Sequence, residues 1–100
     1  MSQENKPIER WQIEAIKERA DIVGLIGSHV QLKRSGSSYK GLSPFNREKS
    51  ASFTVVPSKR IFKCFSSGHG GDIYKFYMLY FDLKFPEAVR RVADEINFRL

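Results

Sequence analysis

The spacing of apolar and polar residues divides the chain into a helical start, a strand-rich middle and a helical end. Between Pro7 and Ala20, in "PIERWQIEAIKERA", apolar residues recur at the period of an amphipathic helix. Asp21 then stands in N-cap position before "IVGLI", and Gly27 with Ser28 supplies a stop. We therefore predict two helices within residues 1–28.

Residues 29–67 change to the period-two alternation that is typical of strands. A strand is predicted to begin near His29 in "HVQLKR", and "SGSS" supplies a turn into "YKGLS". Two further β-branched and aromatic runs, "SFTVV" and "RIFKCF", are joined by "PSK". In the last run, Ile61, Lys63 and Phe65 would share one face and Arg60, Phe62 and Cys64 the other. Two hairpins with three or four antiparallel strands follow.

Residues 71–100 return to helical spacing. Asp72 follows a glycine-rich stop and would cap "IYKFYMLYF", a helix so apolar that it must be largely buried. A second amphipathic helix is predicted from about Pro86 to Ile96, followed after Asn97 by a short last strand, "FRL". The whole pattern predicts one α+β domain over residues 1–100, a small antiparallel sheet with flanking helices.

Length and composition narrow the class of protein. The chain has 100 residues, 41% hydrophobic and 13% aromatic, which is a globular composition. No apolar run approaches the ~18 residues of a membrane span, and the polar start lacks a signal-peptide core. One cysteine excludes an internal disulfide. We expect a soluble, cytoplasmic protein without a membrane partner.

The positive charge is concentrated in the predicted sheet. The chain carries a net charge of +6, but residues 31–65 hold eight basic residues against one acid, and the remainder is close to neutral. The basic residues of this segment are Lys33, Arg34, Lys40, Arg47, Lys49, Lys59, Arg60 and Lys63. Aromatic rings lie among them, and Tyr39, Phe45 and Phe62 are the candidates for stacking on bases. Cations on phosphates and rings on bases are typical of surfaces that bind single-stranded nucleic acid. Alternatively, the rings fill the core and the lysines form a solvated face.

Two turn-like knuckles flank the second hairpin. "SPFN" (43–46) and "CFSS" (64–67) each place two small polar residues three apart, as the paired ligands of a structural zinc are placed. Only Cys64 is a zinc ligand by chemistry, since serine hydroxyls and an asparagine amide are neutral and bind zinc poorly. His29 and His69 do not complete a standard spacing. We therefore expect no metal and no other cofactor.

No catalytic constellation is recognisable in the sequence. "GHGGD" precedes a helix but lacks the Lys-Ser/Thr of a phosphate-binding P-loop. The acidic residues lie mostly on amphipathic helices, and nothing pairs Cys64 with a base, so a small buried hydrophobe is the simpler interpretation of that thiol. We predict no active site in this chain.

From Ala20 to Leu100 the chain resembles the N-terminal zinc-binding domain of DnaG-type bacterial primases. The motifs that carry the resemblance are "DIVGLI", "YKGLSPFNREKSASFTV", "FKCFSSGHGGD" and "FPEAVRRVA", in order and with matching spacing. It implies a zinc-ribbon fold with the four ligand positions at Ser43, Asn46, Cys64 and Ser67. Three of the four ligands are replaced here, so we expect a ribbon that has kept its fold and lost its metal. Our hypothesis is that Ser43, Asn46 and Ser67 hydrogen-bond around a buried Cys64.

The resemblance also implies a function. Such a module helps the catalytic RNA-polymerase domain of the same primase to engage single-stranded DNA and to start RNA primers during replication. Other parts of the full-length protein contact the replicative helicase, so we expect this chain to be a piece of a longer DNA-directed RNA polymerase. Two alternatives stay open: a degenerate module that only docks other primase or replisome parts, and a primase-like accessory protein of a phage or mobile element.

Overall fold

A computed structural model of the chain describes residues 7–45 and 52–100. Within this part, a five-stranded antiparallel sheet lies in the sequence between two pairs of helices, as the predicted α+β class requires. The helices are α1 (Arg10–Arg19), α2 (Ile22–Gly27), α3 (Ile73–Phe81) and α4 (Phe85–Glu95). The strands are β1 (Lys33–Ser35), β2 (Ser38–Gly41), β3 (Phe53–Val56), β4 (Ile61–Cys64) and β5 (Gly70–Gly71).

The strands form a simple meander in the order β1-β2-β3-β4-β5, and each neighbouring pair is antiparallel. A 3₁₀ turn (Pro57–Lys59) joins β3 to β4. The predicted alternation in "RIFKCF" is confirmed within β4, because Phe62 and Cys64 are buried while Lys63 and Phe65 are exposed. It is wrong for Arg60, which lies before β4 with a left-handed backbone and is exposed. The sheet therefore has one core face and one outer face.

Two predicted strand boundaries are wrong, and local hydrogen bonds explain both. The first strand begins at Lys33 instead of near His29, because the N–H groups of His29 and Val30 donate to the Ile26 carbonyl and extend the turn that ends α2. The segment "FRL" forms no strand: Asn97 adopts a left-handed conformation (φ 60°) and the Phe98 N–H donates to the Ala93 carbonyl. This is a Schellman-type helix end, which turns the chain back onto the core.

Helices α3 and α4 pack against each other, and α3 covers the core face of the sheet. Asp72 caps α3 as predicted, since its carboxylate accepts the Lys75 N–H at 3.0 Å. The Phe76 ring lies 5.7 Å from the ring of Phe62 and 6.0 Å from that of Phe53, centroid to centroid. The predicted apolar face of α4 is buried. No helix in residues 7–45 and 52–100 is long and apolar enough to cross a membrane.

One polar contact joins α3 to α4 at the edge of this core. The Tyr77 hydroxyl donates to Glu95 Oε1 at 2.6 Å, and Arg91 Nε donates to Glu95 Oε2 at 2.8 Å. Partial burial acts to raise the pKa of Glu95, but the hydrogen bonds from Tyr77 and Arg91 and the charge of Arg91 lower that pKa below its usual value. The ionised carboxylate therefore stabilises the packing of the two helices.

We expect Tyr77→Phe to lower the free energy of unfolding by about 1–2 kcal/mol near neutral pH, because a hydrogen bond to a charged acceptor is lost. The folded-state pKa of Glu95 is lowered, so its contribution is present at neutral pH and disappears as the pH falls through that pKa. Urea denaturation near neutrality and again at about pH 3 should show the difference between variant and parent shrinking in acid. Tyr80→Phe is the matched control, and an equal loss in both variants would contradict this role.

Candidate nucleic-acid interface

The strand register collects three lysines into one row on the outer face of the sheet. Lys33 lies opposite Lys40, Lys40 opposite Thr54, Thr54 opposite Lys63, and Lys63 opposite Gly70. Directly opposed residues in a sheet point to the same side, and the three lysines are exposed. With strands ~4.8 Å apart, this lysine row spans roughly 14 Å from Lys33 on β1 to Lys63 on β4.

The next row of the register faces the core and overturns one predicted role. Phe62 lies in this row opposite Val55, is 0% exposed, and stacks on Phe53 with 5.6 Å between ring centroids. The prediction that Phe62 stacks on a base is therefore wrong, because the ring belongs to the core. Tyr39 lies in the same row, half-buried and packed against the core.

Phe45 also packs inward. Its ring centroid lies 5.5 Å from that of His69, 5.8 Å from Phe76 and 6.0 Å from Phe53. The ring is half-buried and covers the end of the aromatic core nearest the first knuckle. The structure thus places none of the three predicted stacking rings on the face that carries the lysine row.

The other predicted basic residues are distributed around the sheet. Lys59 and Arg60 are exposed at the connection between β3 and β4, the end that also carries the β1–β2 turn, and Arg60 has a left-handed backbone (φ 55°). Arg34 is exposed on the edge strand, and its Nε donates to the Gly36 carbonyl at 3.2 Å. Arg47 and Lys49 lie outside the described residues.

Phe65 is the exposed ring on the outer face that the predicted site omits. Its side chain is 73% exposed, and its N–H donates to the Ser52 carbonyl at 3.0 Å, which continues the pairing of β3 and β4 by one step. Phe65 is two residues beyond Lys63 and so points to the same side of the sheet. The period-two pattern, which already grouped these two residues, was the signal that could have identified it.

The knuckles bring Ser43, Ser66 and Ser67 around the thiol of Cys64. Cys64 is buried, and its thiol donates to Ser43 Oγ at 3.0 Å, which also accepts the Phe45 N–H at 3.1 Å. Ser66 Oγ lies 3.5 Å from Cys64 Sγ and 2.7 Å from Ser52 Oγ. Asn46 lies outside the described residues. The Ser43–Cys64 part of the predicted hydrogen-bonded cluster is therefore present.

These contacts change the acidity of the thiol. Burial acts to raise the pKa of Cys64, but hydrogen bonds from Ser43, Ser66 and Ser67 outweigh it and lower the pKa to about 7. A hydroxyl that accepts the thiol proton can rotate and donate to the thiolate, so the same serines satisfy both forms of the sulfur.

The donor set of the knuckles does not suit zinc. A structural zinc is held by four thiolate, imidazole or carboxylate ligands, whereas Cys64 is accompanied here by the hydroxyls of Ser43 and Ser67. Across the described residues, no group of three or more His, Cys, Asp and Glu side chains is arranged to hold a metal ion. The residues present therefore do not fit the metal that the zinc-ribbon resemblance implies.

Comparison with known proteins identifies the family to which the chain belongs. The profile of the family described as CHC2 zinc finger matches residues 8–100. The DNA primase of Geobacillus stearothermophilus is 51% identical over 88 residues, and that of Listeria monocytogenes is 49% identical over 82 residues. These matches cover 88% and 82% of this chain but 15% and 13% of the relatives.

A solved structure gives the same result for the fold. The crystal structure of the zinc-binding and RNA polymerase domains of the Aquifex aeolicus primase superposes with a TM-score of 0.84 at 39% identity. The match covers 89% of this chain and 22% of that one. The chain thus spans about one seventh of the length of the curated relatives it matches. It belongs to the CHC2 zinc finger family, the zinc-ribbon module of DNA primases.

Proposed function

We propose that this chain is the single-stranded DNA-binding module of a bacterial DNA primase and helps the catalytic part of that enzyme to start RNA primers. The observation that carries the proposal is the lysine row together with Phe65 on one exposed sheet face. Three cations spaced across the strands suit the phosphates of an extended strand, and an exposed ring suits a base.

The distribution of charge and apolar surface supports this choice of face. On the opposite face, Phe53, Val55 and Phe62 are covered by the helices and are unavailable to a ligand. Solubility does not explain why the positive charge is concentrated here, because every exposed surface needs polar residues equally. The excess positive charge of the chain nevertheless lies in the segment that forms the sheet. We therefore assign template contact to the outer face, with Lys33, Lys40 and Lys63 on phosphates and Phe65 on a base.

The partners follow from the same proposal. Single-stranded DNA occupies the outer face, the catalytic domain of the same primase uses the strand that is held there, and the replicative helicase is contacted by other parts of the full-length protein. Chemistry belongs to the catalytic domain, and this module positions the template.

The first prediction of this proposal concerns DNA affinity. We expect the chain to bind a fluorescent single-stranded oligonucleotide with an affinity that falls as salt rises, because neutralised phosphates release counterions. Replacing Lys40 and Lys63 by Gln should reduce the slope of log affinity against log salt by about 1.4, at ~0.7 per lost contact. Phe65→Ala should weaken binding by about 1–3 kcal/mol. Fluorescence anisotropy at several salt concentrations measures both effects.

The control is a double variant with the same change in net charge. Lys75 and Lys84 are exposed but lie on α3 and just before α4, so replacing both by Gln should leave the salt dependence nearly unchanged. An equal effect of the two double variants would mean that only overall charge matters. No binding at low salt would favour instead a module that only docks other primase or replisome parts.

We also propose that the knuckles close without zinc. A structural zinc contributes on the order of 10 kcal/mol to the folding of small zinc domains, and here hydrogen bonds and aromatic packing act in its place. The link between them is Ser43, which accepts from both the Cys64 thiol and the Phe45 backbone.

Metal analysis of protein purified without chelator should find far less than one zinc per chain. Because we propose that folding does not depend on a bound zinc ion, addition of a strong chelator should leave the melting temperature unchanged. The zinc-binding domain of the Aquifex aeolicus primase, prepared in parallel, shows whether the procedure retains a bound metal. One zinc per chain, with a chelator-sensitive melting temperature, would overturn the proposal.

Ser43→Ala tests the hydrogen bonds that hold the knuckles. We expect it to lower the free energy of unfolding by about 1–3 kcal/mol, because the thiol and the Phe45 N–H lose a shared buried acceptor. Since the folded-state pKa of Cys64 is lowered to about 7, folding stability should rise as the pH increases through and above that value. The variant should flatten this rise and increase the pKa of the thiol, measured by thiolate absorbance. Ser37→Ala, in the exposed β1–β2 turn, is the matched control.

A further inference from the structure

An open groove of about 690 Å³ lies beside the edge of the sheet. Its walls are the segment 29–31, strand β1, the end of β2 and Pro44. Ligand sites in proteins commonly measure roughly 300–1,000 Å³, so the groove is large enough for a small organic molecule or one unit of a polymer. It lies at the Lys33–Lys40 end of the lysine row and away from Phe65.

Close backbone packing shapes one wall of the groove. Gly41 lies directly beneath the carbonyl oxygen of Gln31, and a Cβ at this position would collide with that oxygen and crowd Leu32. Glycine therefore allows the segment before β1 to lie against β2. The turn that carries His29 and Val30 is tied to α2 by hydrogen bonds to the Ile26 carbonyl. These backbone contacts fix the position of the segment that forms this wall of the groove.

The walls combine positive charge with apolar surface. Lys33, Arg34 and Lys40 contribute cations to the groove. Among the described residues, no acidic side chain lines it, and no ion pair involves these three cations. Arg34 is anchored at the rim by its bond to the Gly36 carbonyl. Leu42 is 53% exposed and, with Pro44, gives an apolar surface beside the cations.

We propose that this groove binds one nucleotide, with its phosphate at Lys33 and Lys40 and its base or sugar against Leu42 and Pro44. A bare inorganic anion would leave the exposed leucine uncovered, and an apolar ligand would leave the ammonium groups of Lys33 and Lys40 without an anion to bind. A nucleotide would place its phosphate on the lysines and cover the apolar wall with its base or sugar. The inference deepens the proposed function, because the lysine row leads into the groove. The nucleotide is either one unit of the bound DNA strand or a free ribonucleotide.

The experiment is an amide chemical-shift titration of the 100-residue chain with two probes, a short oligodeoxythymidine and ATP. Resonances of Gln31, Ser35 and Gly41 report on the groove, and those of Thr54 and Phe65 report on the rest of the outer face. Leu42→Glu places a carboxylate on the apolar wall. Trp11→Glu makes the same change at a residue that is 60% exposed on α1, which contributes nothing to the groove.

We expect both probes to shift the groove resonances, and Leu42→Glu to weaken binding about five- to 150-fold, the loss expected when one base contact is removed. Trp11→Glu should leave the affinity for both probes unchanged. If only the oligonucleotide shifts the groove resonances, the proposal is supported, and the occupant is a nucleotide of the DNA strand. Groove shifts with ATP alone, without oligonucleotide binding, would support a free nucleotide and overturn the proposed DNA-binding function.

Two results would overturn the groove proposal. Oligonucleotide shifts confined to Thr54, Lys63 and Phe65, with no response to ATP, would leave DNA binding intact and remove the groove from it. An equal loss in Leu42→Glu and Trp11→Glu would show a general effect of charge. If neither probe binds, both this proposal and the proposed function are overturned.

Discussion

The packing of Phe53 and Phe62 beneath Phe76 is the constraint on which the two-sided character of the sheet depends. These rings are fully buried and in mutual contact. Because side chains alternate along a strand, seating Phe62 in the core sends Lys63 to the opposite face. A slip of one residue in β4 would bury the lysine and expose the ring. The core thus determines where the charge lies.

The same aromatic core extends to the knuckles, where the family places its metal. Phe45 packs on it from the first knuckle, and its backbone N–H bonds to Ser43, which in turn accepts from Cys64 in the second knuckle. One buried hydrogen bond contributes about 1 kcal/mol, far less than a structural zinc. On the proposal that the knuckles close without zinc, they depend on being attached to a core that is already stable, and the serine–thiol contact aligns them.

The proposed DNA surface and the proposed nucleotide groove share Lys33 and Lys40. A DNA strand that runs along the lysine row from the Phe65 end would reach the groove at the other end, roughly 14 Å away across the sheet. Stacking at one end and enclosure of a nucleotide at the other would orient the strand on the module. Such a fixed direction is useful to a catalytic domain that must start synthesis at a defined place on the template.

Much of this architecture was predictable from local patterns. The capped apolar run of α3, the buried face of α4 and the strand runs around Val55 and Cys64 are set by periodicity and by cap residues such as Asp72, which act over a few positions. The spacing of the knuckles and their single thiol likewise predicted a ribbon whose residues do not suit zinc. The boundaries at Lys33 and Asn97 were less predictable, because single hydrogen bonds to preceding carbonyls decide them.

Only the tertiary structure decided which rings and cations share a surface. Sequence pattern grouped Phe65 with Lys63 but could not show whether that face or the face of Phe62 met the helices. It also could not show that Lys33, Lys40 and Lys63, which are far apart in the chain, form one row, or that Gly41 brings the segment before β1 against β2. These features depend on strand register and on packing between distant segments, whereas composition and periodicity determine only local structure.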